Sequence, residues 1–469
     1  MLTAVRPLAP PSRRVITVRD HRAFVVLVSF AAALRAVTML AYRPAQLYWY
    51  DSFTYMDTAL HLRPPAAFHP IGYPLLLRLL WPFHSVSVVA AVQHTMGLAV
   101  GVMTYALLRR RSVPGWAAAL AAAPALLDGS FLRLEHAVLS DTQFMFLIVA
   151  TVTVLLWSPR LTVRAAATAG LLLALATLTR TVTLPLLIVV LFVLAVQRAG
   201  PRPLLALALA AALPLSAYAA WYSRVHGRFT LSGADGVSLW ARTMTFADCR
   251  VIEPPPDLAP LCPNGTTVDA ASEYVWAPGA SLNRLPGDQF AHNDLARAFA
   301  IRAIAAQPLD YLRDVAHDTL LTFAWTPIRH PQRTTPAFGF TLGDGSLPDQ
   351  PLIGTMRREY DPAIRGLSTV RPFADVLVAY QYPAYLRGPF LAAILVAGAL
   401  GAVMRRRAAL LPWTMAVSLL VVPVAVLDFD HRYVLPVIPV ACLAAALALH
   451  ALLTPARLRT TPKDEITCP

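Results

Sequence analysis

Residues 24–57 read FVVLVSFAAALRAVTMLAYRPAQLYWYDSFTYMD. The run Phe24–Leu40 is interrupted only by Ser29, Arg35 and Thr38, and an apolar helix of about that length spans most of a ~30 Å hydrocarbon layer. The aromatic group Tyr48-Trp49-Tyr50 then leads into Asp51. Trp and Tyr favour the membrane–water boundary, where an apolar ring and a polar tip both find their solvent. A carboxylate at that depth is partly desolvated and is a candidate general base. The residue reads equally well as a solvated aspartate at a helix end.

The rest of the chain repeats the first feature. Of 469 residues, 57% are apolar and 14% charged, against roughly 25% charged in a soluble domain. The reading is an all-α polytopic membrane protein of about ten spans. The formal charge of +14 does not point to nucleic acid, because the arginines sit in short loops between apolar runs, where they report topology. No cleavable signal peptide is apparent, so the first run is expected to stay as a span.

The spans are expected at residues 24–40, 85–108, 113–127, 141–157, 165–178, 182–196, 204–221, 386–403, 410–427 and 433–453. The leader (Arg6, Arg13, Arg14, Arg19, Arg22), Arg109-Arg110-Arg111, Arg160, Arg198 with Arg202, Arg405-Arg406-Arg407, and Arg457 with Arg459 then all fall on one side, which the positive-inside rule makes cytoplasmic. Both termini are cytoplasmic in this reading of a multi-pass cell-membrane protein. Residues 41–83 hold too many prolines for a straight span and read as short helices at the outer face. Residues 128–140 read as a polar outer loop. The division is a membrane module at 1–221, a small mixed extracytoplasmic domain at 222–385 with a helical stretch near Asp294–Phe323, and closing helices at 386–469. Cys249 and Cys262 lie close enough to pair if that domain is extracytoplasmic, while Cys442 and Cys468 are expected unpaired.

Under this map the outer face gathers ionisable groups from distant places: Asp51 and Asp57; His69 and Tyr73 in His69-Pro70-Ile71-Gly72-Tyr73-Pro74; Glu135 and Asp141; Arg180 at the turn between the fifth and sixth spans; and His431 and Arg432 before the last span. Singly, each has an ordinary reading. Arg180 can snorkel from a helix end, and Glu135 and Asp141 can sit at a helix start where the dipole favours acids. Arg35 lies inside the first span, where an unpaired guanidinium costs at least a few kcal/mol, so it requires an acid or a lipid phosphate. Together the groups suit one chemistry. Arginine forks hold a phosphate, a carboxylate takes a proton from a hydroxyl, and the arginines stabilise charge growing on a departing phosphate.

The order Asp51, His69-Pro70-Ile71-Gly72-Tyr73-Pro74, Glu135 to Asp141, Leu178-Thr179-Arg180 and Arg432-Tyr433-Val434-Leu435-Pro436 resembles the GT-C superfamily of membrane glycosyltransferases. The likeness is to the protein-mannosyltransferase and aminoarabinose-transferase branch that uses polyprenyl-phosphate sugars. The resemblance implies a GT-C-like helical bundle and Asp51 as catalytic base, with Asp141 or Glu135 as a second catalytic acid. It makes Arg180 and Arg432 carrier-phosphate ligands. His69, His431, Tyr73 and Arg35 are taken as substrate-binding. It further implies an inverting transfer from a polyprenyl-phosphate sugar to a hydroxyl of a glycan, lipid or protein, with the prenyl tail between helices beside the first span. Many relatives carry Asp-Glu in the first loop where this chain has Asp51-Ser52. No set of side chains spaced as metal ligands is visible, so no metal or other cofactor is assigned. A transporter or lipid flippase is the competing class and would need polar groups near the bilayer midplane.

Overall fold

The computed structural model describes residues 21–48, 50–332, 339–404 and 407–453. Trp49, the arginines at 6, 13, 14, 19, 405, 406, 457 and 459, and Cys468 lie outside the described residues.

Helices stand at every expected span. They are Arg22–Ala41, Val86–Arg110, Gly115–Leu127, Asp141–Leu156, Val163–Thr179, Thr183–Val196, Pro201–His226, Gly388–Val403, Arg407–Val426 and Val437–Leu453, called spans one to ten below. Inside lipid a backbone must satisfy its own hydrogen bonds, and an apolar run does so as a helix. Five helices are long and apolar enough to cross a membrane. Gly115–Leu127 makes a sixth if joined to Gly129–His136 across a 50° bend. Spans four, five, six and eight are shorter apolar helices.

Span five packs between spans four and seven, and span ten packs against eight and nine. Gly170 permits the closest of these approaches, since a Cβ there would lie 2.3 Å from the Leu207 carbonyl oxygen. Between spans one and two lie the helices Asp51–His61 and Gly72–Leu80, as the prolines of residues 41–83 required.

Two expectations are corrected. Residues 129–136 do not form a polar loop but a helix, Gly129–His136, with every residue buried. Its charged groups can be there because they have buried partners, as described below. The segment 222–385 is helical and irregular rather than mixed. Its only strand among the described residues is Ser368–Thr369, paired antiparallel with Tyr42–Arg43 just after span one. The segment also divides in two. Residues 237–303 bury a core of their own around Trp240, Leu282 and Phe299. Phe340, Ala374 and Leu377 instead pack with Leu34 and Tyr42 at the end of span one. The expected helical stretch is Asn293–Ala306 followed by Pro308–Leu320, the break falling where Pro308 removes a donor. Cys249 and Cys262 are bonded to each other, and Cys442 is free and buried.

Candidate active site

Asp51 opens the helix Asp51–His61, and Tyr55 stands one turn later on the same face. His69 lies in the connection to the next helix at φ +65° and precedes Pro70. A non-glycine residue rarely adopts that region, and a following proline disfavours non-extended backbone further; such strain costs about 1–3 kcal/mol and persists where surroundings enforce it. Ser140 and Asp141 begin span four. Arg180 is the turn residue between spans five and six. Arg432 enters a short helix, His431–Val434, whose first turn is capped by the Asp430 carboxylate accepting from the Arg432 backbone N–H at 3.0 Å.

Asp51, Tyr55, His69, Ser140, Asp141, Arg180, Arg432 and Tyr433 all line one cavity of about 590 Å³, within the range of small-molecule sites. The opposite wall is apolar: Leu184 and Pro185 of span six, Leu215 and Ala219 of span seven, and Leu419, Val422, Pro423 and Val426 of span nine. A prenyl-sized apolar wall therefore lies along spans six, seven and nine, not beside span one.

The polar atoms are only partly committed. His69 Nε2 lies 3.3 Å from Asp51 Oδ1, and Arg432 Nη1 lies 3.3 Å from Asp51 Oδ2. Arg432 Nε is 2.9 Å from Asp430 Oδ2. Arg180 is paired with Asp141 Oδ1, whereas Asp141 Oδ2 is buried and unpartnered. Both guanidinium groups lie over the ring of Tyr433, at 4.7 Å for Arg180 and 5.2 Å for Arg432. Burial pushes the Asp51 carboxyl up, but His69 and then Arg432 more than offset it and hold the group well below the usual carboxylate range. Burial pushes the Tyr55 phenol up, and Asp51 adds to the rise. Asp430 is raised, by burial first, with Arg432 opposing.

Four of the sequence-selected residues lie outside this cavity. Glu135 and Arg35 answer one another: Arg35 Nη2 donates to Glu135 Oε1 at 2.6 Å, with the two side chains 3% and 0% exposed. Arg35 Nη1 also donates to the carbonyls of Leu126 and Ala31. His94 Nδ1 is 2.9 Å from Glu135 Oε2, His94 Nε2 is 3.2 Å from His136 Nδ1, and His136 Nε2 is 2.7 Å from the Tyr42 carbonyl oxygen. Gly97 makes room, since a Cβ there would meet the Glu135 carboxylate at 1.8 Å. Glu135 as a catalytic acid and Arg35 as a substrate ligand are thus replaced by a closed structural network, because a buried charge is tolerated when paired. Tyr73 is fully buried and donates to Gln93 Oε1 at 2.7 Å; it supports the site from behind, edge-on to Tyr55. His431 faces the Tyr385 ring 5.5 Å away, not the cavity. Asp57 pairs with His61 on an exposed face.

Sequence reading passed over Tyr55, Ser140 and Tyr433 as site residues. The i,i+4 spacing from Asp51 was the available signal for Tyr55, and adjacency to Asp141 and Arg432 for the others. Among the described residues no group of three His, Cys, Asp or Glu converges to hold a metal ion.

No family model matches the chain, and no curated protein matches it by sequence. Its structure is similar to three kinds of solved membrane transferase. ArnT from Cupriavidus metallidurans bound to undecaprenyl phosphate aligns over 92% of this chain and 77% of its own, at 14% identity and TM-score 0.36. The archaeal oligosaccharyltransferase AglB from Archaeoglobus fulgidus, in complex with an inhibitory peptide and a dolichol-phosphate, aligns over 92% and 50%, at 14% identity and TM-score 0.41. The protein O-mannosyltransferase Pmt1-Pmt2 complex of S. cerevisiae bound to the sugar donor aligns over 55% and 39%, at 16% identity and TM-score 0.36. The chain spans half the length or less of the latter two. The GT-C resemblance read from the sequence meets the same kind of protein among these folds, but likenesses this loose fix no chemistry.

Proposed function

We propose that this multi-pass membrane protein is a glycosyltransferase that moves a sugar from a polyprenyl-phosphate donor to an acceptor hydroxyl at the outer membrane face. Asp51 is the general base. Arg180 and Arg432 hold the carrier phosphate, and Asp141 orients Arg180 and offers its free Oδ2 to a sugar hydroxyl. One observation carries the reading: five ionisable residues from five separate segments line a single cavity whose far wall is apolar.

The chemistry follows from that wall and that rim. The prenyl tail lies along spans six, seven and nine, which places the phosphate against the two guanidinium groups. The acceptor oxygen attacks the anomeric carbon as the carbon–oxygen bond to phosphate breaks, inverting the centre in a single displacement. The electron pair leaves with the phosphate, where the arginines stabilise it. In the free site Arg432 suppresses the basicity of Asp51. A bound phosphate anion competes for Arg432, so the base strengthens as the donor arrives.

A transporter reading has one observation in its favour, the ionisable network of Arg35, Glu135, His94 and His136 among the apolar helices. That network lines no cavity, which favours a static role.

The test is release of carrier phosphate and movement of labelled sugar by the purified full-length protein. The probes are polyprenyl-phosphate-linked hexose, pentose and aminopentose. Wild type consumes at least one donor, and Asp51→Asn lowers kcat by about 10²–10⁴-fold, the ordinary contribution of a positioned general base. Intact donors throughout, or an Asp51→Asn variant as fast as wild type, contradicts the proposal.

A further inference from the structure

The geometry points to His69 as a second catalytic residue, which shares and then holds the proton that Asp51 takes from the acceptor hydroxyl. This inference rests on the sugar-transfer reading and adds a role that the reading does not need.

Four side chains lining the cavity form one hydrogen-bonded chain. Asp51 Oδ1 faces His69 Nε2 at 3.3 Å. His69 Nδ1 and the Tyr55 hydroxyl are 3.0 Å apart, and that hydroxyl is 3.0 Å from Ser140 Oγ. The chain is self-consistent in one tautomer. His69 Nδ1–H donates to the Tyr55 oxygen, and the Tyr55 hydroxyl donates to Ser140 Oγ. Nε2 is then the open nitrogen, turned to Asp51. The long gap between Oδ1 and Nε2 is where an arriving proton belongs.

Asp51 is poorly suited to keep that proton. Its carboxyl is held well below the usual carboxylate range, whereas an imidazole in water titrates near about 6.5. The groups facing His69 are Asp51 and Tyr55 from one helix, and Ser140 with Asp141 behind it at the start of span four. Arg180 and Arg432 act on it through Asp141 and Asp51. The left-handed backbone of His69, maintained against the following proline, fixes the ring in this line.

The step balances. The acceptor oxygen bonds to the anomeric carbon, and the carbon–oxygen bond to phosphate breaks with its electron pair on the phosphate. The hydroxyl proton passes by way of Asp51 Oδ1 to His69 Nε2. The imidazolium returns it to water before the next turnover.

The test uses the full-length protein and whichever polyprenyl-phosphate sugar the wild type consumes. If it consumes none, the parent reading fails and this one with it. Given turnover, kcat is followed from pH 5 to 9 for wild type, His69→Gln and Tyr55→Phe, alongside binding of undecaprenyl phosphate. Glutamine keeps a polar side chain but does not titrate. The expected result for His69→Gln is a fall in kcat of about 10²-fold or more and loss of the low-pH limb, with carrier affinity within threefold of wild type. Tyr55→Phe keeps the limb and moves its midpoint. Variants are scored only as folded, monodisperse protein. A His69→Gln variant that retains the wild-type limb and midpoint overturns the assignment. So does carrier affinity that falls in step with kcat, which would make His69 a positioning residue.

Discussion

Two ionisable clusters lie at the same end of this bundle, and they differ in what they leave unbonded. In the closed one, Arg35, Glu135, His94 and His136 bond to each other and to backbone carbonyls, and only Arg35 Nε lacks a partner. In the open one, Asp51, His69, Asp141, Arg180 and Arg432 touch through loose contacts around a cavity, with Asp141 Oδ2 left over. Charge buried in a protein must be neutralised. A cluster that neutralises itself completely stabilises a packing arrangement, whereas one that does so incompletely is ready for a ligand that finishes the job. Proximity of charged residues in sequence does not separate the cases, since Glu135 and Asp141 are six positions apart and belong to different clusters.

The comparison breaks most sharply at Glu135. Glu135→Ala leaves the Arg35 guanidinium buried without its acid, and removing one partner of a buried pair costs about 3–5 kcal/mol. The expected outcome is a large drop in apparent Tm and in the yield of folded protein, with carrier-phosphate release per folded molecule near wild type. A variant of normal stability that is catalytically dead would place Glu135 in the open cluster after all.

Asp428 sharpens the comparison from the side of the smaller effect. It lies between spans nine and ten and accepts from the Ser272 backbone N–H at 3.0 Å, tying the segment 237–303 to the membrane module. Burial first, and Asp430 in addition, push its carboxyl up to about 6, against the pull of Ser272. A carboxyl raised in the folded state contributes stability fully below its unfolded value, near pH 4, and loses it as pH rises through about 6. Asp428→Asn keeps the acceptor and removes the charge, so it is expected to exceed wild type in stability at pH 8 by roughly 1–3 kcal/mol. The gap closes below pH 5 in a Tm-versus-pH series. An unchanged gap across that range would mean that the carboxylate is solvated and the seam looser than described.

The membrane helices were legible because lipid forces an apolar run to pair its backbone internally, and the arginine clusters marked their ends. Asp51, Asp141, Arg180 and Arg432 were legible as site members because spans of alternating direction bring their ends to one face. What the sequence hid was lateral direction. Arg35 and Arg180 are both guanidinium groups at apolar boundaries, and only the bend after Leu127, which carries Glu135 inward, decides that Arg35 is consumed. The same bend turned an expected polar loop into the buried helix Gly129–His136. The apolar wall was misplaced for a related reason, because its residues come from spans six, seven and nine, and no local pattern states which spans are neighbours.

The most direct test is a density map of the protein with undecaprenyl phosphate. The account requires the phosphate within hydrogen-bond reach of Arg180 and Arg432, and the prenyl chain along Leu184, Leu215 and Val422. Lipid phosphate bound elsewhere, with the cavity beside Asp51 left to water, would contradict it.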